Sequence, residues 1–175
     1  MIRVLVGYAT AHGSTLSVAE RVATRLAEAG AEVETKELTA VSAGDLAAND
    51  AYVIGSAVHD MAWLPEARDF VDAHTDALTG RALWIFSVGM PDALPGPRRT
   101  LAGMEEKKIV GALRERLRPR GHRLFSGVIR PEHLSGPARL KMRAMGVRYG
   151  DYRDWAAVDG FAHEIAEALH TVDSS

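Results

Sequence analysis

Hydroxyl-bearing side chains cluster in residues 10–15, Thr-Ala-His-Gly-Ser-Thr, directly after an apolar run and directly before an amphipathic one. This order predicts a strand that ends in a small-residue loop and leads into a helix. The first backbone N–H groups of a helix have no intrahelical partner and carry positive potential, so they bind anions. Thr10, Ser14 and Thr15 can each donate a hydroxyl proton to a phosphate oxygen, and Gly13 lets the backbone approach it. The stretch therefore predicts a phosphate site.

The chain has no Lys or Arg between residues 4 and 20, which separates the candidate types of phosphate site. A P-loop needs a Lys after its second Gly, and a dinucleotide fingerprint needs three glycines. A receiver domain would need carboxylates where Thr10, Ser56 and Ala57 stand, and a low-molecular-weight phosphatase needs a Cys. What remains is a loop that holds phosphate with neutral donors alone. The alternative is a solvated turn in which Thr15 caps the helix.

Composition places the chain among ordinary folded domains. Its 175 residues are 47% hydrophobic and 25% charged. The lack of cysteine excludes disulfides, thiolate metal sites and cysteine nucleophiles. The histidines have no metal-ligand spacing, and no apolar run reaches the roughly 20 residues of a membrane helix. We expect one domain over residues 1–175, no metal, and a cytoplasmic location.

Short apolar runs alternate with helical patterns along the chain. The runs predict five strands, at residues 2–9, 31–38, 51–58, 82–90 and 122–130. The patterns predict helices at residues 16–29, 66–77, 105–117 and 155–169, a short one capped by residues 42–45, and a loop over residues 91–103. Such alternation predicts an α/β fold, a three-layer sandwich with a five-stranded parallel sheet in the order 2-1-3-4-5 and helices on both faces.

Ligands of such sheets bind outside the carboxyl ends of the strands, where the strand order reverses. Three loops are expected to meet there, at residues 10–15, 56–64 and 87–99. In the second of them, His59 and Asp60 form a titratable pair that either transfers protons beside a bound cofactor or belongs to a solvated turn. His12 either contacts the phosphate or faces solvent.

Basic charge is concentrated in residues 98–148, which hold 14 of the 21 Lys and Arg but only 4 of the 23 acidic residues. Such separation of basic from acidic residues gives information about binding partners rather than about the fold. We expect this stretch to form a face that contacts a partner or a membrane. Within it, residues 131–150 form an insertion before the last helix. Its pattern predicts a basic amphipathic helix from Arg139, Lys141, Arg143 and Arg148 beside Leu140, Met142 and Met145. The insertion either packs on the domain or docks reversibly to a partner protein or an anionic membrane.

Several motifs together resemble the flavodoxin superfamily. Residues 10–15 match its flavin mononucleotide (FMN) loop, T/S-x-T-G-x-T, at Thr10, Gly13 and Thr15, with His12 replacing the middle hydroxyl residue. Residues 55–58, Gly-Ser-Ala-Val, and Ser87-Val88 follow at strand ends. Residues 127–131 and 154–166 are similar to the menaquinone-dependent protoporphyrinogen oxidase branch, which also carries an insertion before its last helix.

The resemblance implies FMN as the cofactor and His59 and Asp60 as catalytic residues. It implies cofactor contacts from three loops, namely Thr10, Ala11, His12, Gly13, Ser14 and Thr15, then Ser56, Ala57, Val58 and His59, then Ser87, Val88, Gly89 and Met90. Flavodoxins that only carry electrons usually hold the flavin ring between a Trp of the third loop and a Tyr of the fourth. Here the third loop offers His59 and Trp63, whereas residues 89–95 contain no aromatic residue. One face of the ring is therefore expected to be open.

An open ring face suits an enzyme, because a second planar molecule must stack on it. The resemblance thus implies a quinone-linked oxidoreductase acting on a quinone or porphyrinogen-like planar substrate, cytoplasmic and peripheral at the inner face of the cell membrane. The alternative is a flavodoxin-type electron carrier whose basic stretch faces an acidic redox partner protein. A flavin-free interaction domain is a third hypothesis. No nucleic-acid partner is expected.

Overall fold

A computed structural model describes residues 1–93, 95–96 and 108–173. Its strands are β1 Arg3–Ala9, β2 Glu32–Glu37, β3 Ala51–His59, β4 Ala62–Trp63, β5 Ala82–Gly89, β6 Gly121–Ser126, β7 Val128–Ile129 and β8 Gly150–Asp151. Its helices are α1 Ser14–Glu28, α2 Ala43–Ala48, α3 Pro65–Leu78, α4 over residues 108–117, α5 Gly136–Ala144 and α6 Trp155–Asp173.

The five long strands form a parallel sheet in the order β2-β1-β3-β5-β6. This confirms the predicted order 2-1-3-4-5 and the α/β class. Two short strands were not predicted: β8 lies at the end of the predicted insertion, and β4 pairs antiparallel with the end of β3. Each has only two residues, which cannot show a hydrophobic period, so no sequence pattern indicated them.

Alternation along each strand divides the core into two layers. Val4 and Val6 of β1 face the layer covered by α1 and α6, whereas Leu5 faces the layer covered by α2, α3 and α4. An ion-pair cluster joins the two helices of the first layer. Arg21 donates to both carboxylate oxygens of Asp159 at 2.6 and 2.7 Å, and Arg25 adds bonds of 3.0 and 3.1 Å. These guanidinium groups hold the pKa of Asp159 well below its usual range.

The predicted strand over residues 122–130 is wrong in its second half. The sheet strand β6 ends at Ser126, and β7 pairs antiparallel with β8 in a separate two-stranded sheet. Gly127 lies at the break, where its N–H bonds to the Gly89 carbonyl and its own carbonyl accepts from the Tyr152 N–H. Apolar residues stand on both sides of the break and both halves are partly buried, so the sequence pattern does not reveal it.

The predicted insertion contains a 3₁₀ turn at Pro131–His133, then α5, then β8. A second 3₁₀ turn, Pro91–Ala93, opens the segment that was predicted to be irregular. Residues 94 and 97–107 lie outside the described residues, and with them the rest of that loop and the first residues of the helix predicted at 105–117. In the described part of the chain, no helix has the length and apolar character needed to cross a membrane.

Candidate functional site

The carboxyl ends of three neighbouring strands lie side by side. Ala9 of β1 pairs in register with Ser56 of β3, and Ser56 pairs with Ser87 of β5. The three predicted loops therefore leave the sheet at one edge. We call residues 10–17 the phosphate end, and residues 56–63 with 87–90 the ring end, after the parts of the predicted cofactor.

At the phosphate end, Gly13 sets the start of α1. Its φ of 90° is a left-handed conformation that Gly adopts without strain. Its N–H donates to Thr10 Oγ1 at 2.9 Å, which closes the loop. No side chain caps the helix at Gly13. The N–H groups of the first turn, from Ser14 to Leu16, are therefore left for an external acceptor.

Thr15 is the most informative polar side chain of this end. The residue is 1% exposed, and its Oγ1 atom has no hydrogen-bond partner among the described residues. A buried hydroxyl left unpaired costs about 1–3 kcal/mol. The observation removes the alternative in which Thr15 caps the helix, because a cap would give that oxygen a backbone N–H to accept from. A phosphate oxygen in the loop would give it an acceptor instead.

Ser14 joins the phosphate end to the insertion. Its Oγ accepts a hydrogen bond of 3.0 Å from the Val128 N–H, which leaves the hydroxyl proton free to be donated. The neighbouring Gly127 allows this close approach, since a Cβ there would lie 3.1 Å from Ser14 Cβ and from Val88 Cγ1. Val128 and Gly127 thus border the site, although residues 127–131 were quoted only for the family resemblance and not as cofactor contacts.

His12 is exposed and meets a second histidine from the insertion. The rings of His12 and His133 are stacked, with centroids 4.2 Å apart and planes inclined by 6°. Partial burial, followed by the charges of His133 and His59, lowers the pKa of His12. No sequence motif indicated His133, because its proximity depends on how the insertion folds back.

The buried polar side chains of the ring end have their hydrogen-bond partners inside the protein. Ser56 Oγ donates to the Ala57 carbonyl and accepts from the Leu64 N–H. Trp63 is 2% exposed, and its Nε1 donates to Ser87 Oγ at 2.8 Å. The expectation that Trp63 is offered to the flavin ring is therefore wrong, because the indole lies in the core below the loop.

A buried histidine completes this internal chain. His122 Nε2 lies 3.1 Å from Ser87 Oγ, and since that oxygen accepts from Trp63, its own proton can be donated to the imidazole. Burial, followed by the positive charges of Arg114 and Arg123, lowers the pKa of His122 to about 4. No motif indicates His122, which is one of several polar residues in the run 122–130.

His59 and Asp60 lie at an exposed hairpin between β3 and β4. Their side chains are 72% and 85% exposed, and His59 Nδ1 lies 3.3 Å from Asp60 Oδ2. Asp60 and Met61 form the two-residue turn, with φ values of 46° and 66°. Both are left-handed, as in the type I′ turns that usually contain Asn-Gly or Asp-Gly. The geometry allows the pair to hold a proton at the rim of the site.

The rest of the predicted contact residues divide by exposure. Thr10, Gly13 and Ser14, together with Ala57, Val58, Gly89 and Met90, are half-buried at the edge of the sheet, while Ala11, His12 and His59 are exposed. Thr15, Ser56, Ser87 and Val88 are buried. Beyond Met90, the Asp92 N–H and carboxylate both bond Ser126 Oγ, which fixes the start of the fourth loop against β6.

The insertion forms one wall of the site. Ile129 and Val147 make a small apolar cluster with Ala93, and Met142 and Met145 pack against it. The predicted amphipathic helix is therefore present as α5, but its two methionines face the domain and are not free anchors. Leu140, at 70% exposure, is the exposed apolar side chain of that helix.

The described part of the basic stretch, residues 108–148, does not form one continuous face, and residues 98–107 lie outside the described residues. Arg118 and Arg120 precede the amino end of β6, at the edge of the sheet opposite the site, whereas Arg130 to Arg148 follow its carboxyl end. Arg139 bonds the carbonyls of Pro131 and Leu134 and thus fixes the insertion. Between β6 and α6, the exposed basic residues are Arg130, Arg139, Lys141, Arg143 and Arg148, and the exposed acidic residues are Glu132, Asp151 and Asp154. Among the described residues, no cluster of His, Asp and Glu could hold a metal ion.

Comparison with protein families finds a match to a flavodoxin domain over residues 5–154. Comparison with curated proteins finds no match. Among solved structures, the chain is similar to a flavodoxin from the domain Archaea, at 15% identity and a TM-score of 0.60, over 97% of this chain and 99% of that one. It is also similar to a short-chain flavodoxin associated with a non-canonical PDU bacterial microcompartment, at 18% identity and a TM-score of 0.65, over 96% and 99%.

A third similar structure is a larger protein. Rubredoxin oxygen:oxidoreductase from Desulfovibrio gigas matches at 13% identity and a TM-score of 0.67, over 99% of this chain. Only 37% of that protein is covered. At sequence identities this low, the matches to solved structures show a similar fold and nothing more.

Proposed function

This chain belongs to the flavodoxin-domain family, and we propose from that membership that it binds FMN and transfers electrons between the flavin and a redox partner protein. The observation that carries the proposal is the buried, unpaired Thr15 Oγ1 at an uncapped helix start. A phosphate group is the ligand that satisfies a donor hydroxyl and several first-turn N–H groups together.

The phosphate end would hold the FMN phosphate through Thr15, the free proton of Ser14 and the N–H groups of the first turn. Thr10 keeps the loop in shape through its bond to Gly13. The ring end would support the flavin ring with backbone and apolar atoms, because the hydroxyl groups of Ser56 and Ser87 are hydrogen-bonded to other groups inside the protein. When bound, FMN supplies the one- and two-electron chemistry, while the protein supplies position and electrostatics.

The partner in this proposal is a protein with an acidic docking surface. Arg130 and four exposed basic residues of the insertion lie on the side of the sheet where the flavin would bind, so they can steer an acidic partner toward it. A protein partner is favoured over an anionic membrane because α5 has Leu140 as its exposed apolar anchor, while Met142 and Met145 pack inward. Marginal apolar burial gives weak membrane affinity.

A second candidate function is a quinone-linked oxidoreductase of the protoporphyrinogen oxidase type. It is favoured by the burial of Trp63 and by the absence of an aromatic residue from residues 89–95, which would leave a ring face for a planar substrate. In this function His59 and Asp60 would exchange protons with solvent at the rim, where both are exposed.

A flavin titration tests the shared part of both functions. Purified protein, freed of any ligand by denaturation and refolding, should quench FMN fluorescence at a one-to-one ratio and become yellow. A protein that refolds with its native circular dichroism and binds no FMN would contradict the proposal and favour the flavin-free interaction domain.

A potentiometric titration of the loaded protein separates the two functions. An electron carrier should take up its electrons in two resolved one-electron steps and be reoxidised slowly by menadione. An enzyme of the second kind should take up two electrons together and be reoxidised rapidly by menadione, and His59→Gln should slow that reoxidation. The second pattern would replace the carrier with the oxidoreductase.

A further inference from the structure

The stacked histidines join the phosphate loop to the insertion. His12 belongs to the loop, and His133 ends the 3₁₀ turn after β7. Their rings are parallel within 6° at 4.2 Å. The contact lies beside the bond from the Val128 N–H to Ser14 Oγ, so ring and backbone contacts connect the same two segments.

The phosphate end has no Lys or Arg of its own, and the guanidinium that reaches it, that of Arg153, donates to Ser17 Oγ at 3.0 Å while paired with the Asp151 carboxylate. The chain has no Lys or Arg from residue 4 to residue 20. The titratable groups that act on His12 are His133, from the insertion, and His59, from the end of β3, and both are histidines. On its own segment, the His133 backbone N–H donates to the Arg130 carbonyl at 3.1 Å, and Glu132 precedes His133 in the sequence. Histidine is therefore the residue type here that can supply a cation on demand.

We propose that the His12–His133 pair is a conditional cation for the phosphate of the bound flavin, and that it takes up one proton when the phosphate dianion enters the loop. This inference rests on the proposed function. Two imidazolium rings in face-to-face contact would repel each other, so the pair shares a single proton. The protonated pair would also attract the insertion to the bound phosphate, because His133 belongs to that segment.

Affinity as a function of pH tests the inference. The range from pH 8.5 to 6.5 keeps the FMN phosphate largely dianionic, since the second pKa of a phosphate ester is about 6. Lowering the pH over this range should tighten FMN binding by about tenfold, the change that one pKa unit produces. Riboflavin lacks the phosphate, so its affinity should not change with pH.

Variants identify the source of the proton. His12→Gln and His133→Gln should each flatten the pH dependence of FMN binding, and His12→Lys should bind FMN tightly over the whole range. The matched control is His163→Gln, because His163 is exposed on α6 and contacts Glu167. Thermal unfolding of every variant establishes that it is folded.

Calorimetry in two buffers of different ionisation enthalpy measures the proton directly. The wild type should take up protons when FMN binds within this range, and His133→Gln should take up close to none. If FMN binds with the same pH dependence and proton uptake in both histidine variants, or if riboflavin shows the same dependence, the inference is overturned while the proposed function stands. If the wild type binds no FMN, both fall.

Discussion

The phosphate end and the ring end lie on the same edge of the sheet, yet they use their polar groups in opposite ways. At the phosphate end, Thr15 Oγ1 has no partner and the first-turn N–H groups have no side-chain cap within the part of the chain that the structure describes. At the ring end, Ser56, Trp63 and Ser87 bond to neighbours inside the protein. We infer from this difference that the phosphate end contributes mainly to ligand affinity, whereas the ring end contributes mainly to the stability of the fold. Substitutions should therefore separate the two quantities.

The largest expected effect is a loss of stability at low pH, and it comes from His122, the buried histidine that contacts Ser87 of the ring end. The pKa of His122 is about 4 in the folded protein against 6.5 in the unfolded chain. Between these values the unfolded chain binds a proton that the folded protein does not, so the free energy of unfolding falls as the pH drops from 6.5 toward 4. The full loss is about 3 kcal/mol. Above pH 6.5 His122 contributes no pH dependence.

Denaturant unfolding at several pH values measures this effect. Carboxylates also titrate in the range, so the comparison is with His122→Gln, which lacks the titrating group. The wild type should lose more stability than this variant between pH 6.5 and 4. Equal losses of stability in the two proteins would mean that His122 becomes protonated in the folded protein. The hydrogen-bond chain from Trp63 through Ser87 to His122 would then not be as described.

The next effect concerns affinity at the phosphate end. Thr15→Val removes the unpaired hydroxyl while keeping the shape of the side chain. A hydrogen bond to a charged acceptor contributes about 1.5–3 kcal/mol, so FMN should bind at least tenfold more weakly. The stability of the flavin-free protein should stay the same or rise, because a buried unpaired oxygen is lost. Fluorescence titration and denaturant unfolding give the two quantities.

Ser87→Ala is the matched variant at the ring end, and it should show the reverse pattern. It leaves Trp63 Nε1 without its acceptor and removes the hydroxyl beside His122 Nε2. The free energy of unfolding should fall by about 1–2 kcal/mol, whereas FMN affinity should change less than twofold. A loss of affinity as large as that of Thr15→Val would show that Ser87 contacts the ligand and would remove the contrast between the two ends.

The smallest effect comes from the hairpin at the rim. Met61 has a φ of 66°, which a side chain with a Cβ adopts with strain. Met61→Gly should raise the free energy of unfolding by about 0.5–1 kcal/mol, the strain less the extra chain entropy of Gly. Asp60→Gly is the control and should gain less, since Asp tolerates this conformation better. Destabilisation by Met61→Gly would mean that the Met61 side chain stabilises the hairpin by packing.

Much of the fold follows from local sequence patterns. The apolar runs and helical stripes predicted all five long strands, their order, and the capping box in which Ser42 and Asp45 bond each other's backbone N–H groups before α2. The position of the loops at one edge followed from the topology. These features depend on period and on short-range chemistry, which a sequence carries directly.

The rest of the site depends on contacts between distant segments. The stack of His12 on His133 and the bond from Val128 to Ser14 join residues more than a hundred positions apart. The burial of Trp63 depends on the pairing of β4, which is too short to show a period. Spacing alone therefore predicts a phosphate loop, but it misjudged the burial of the indole and did not indicate which residues of the insertion contact that loop.

A comparison of the affinity for FMN with the affinity for riboflavin measures how much of the binding energy comes from the phosphate end. The two ligands share the flavin ring and differ in the phosphate. If binding energy is concentrated at the phosphate end, riboflavin should bind at least about a hundredfold more weakly than FMN, a difference of about 2.7 kcal/mol. Equal affinities, measured by fluorescence titration at the same pH and salt, would contradict the account and move the binding energy to the ring end.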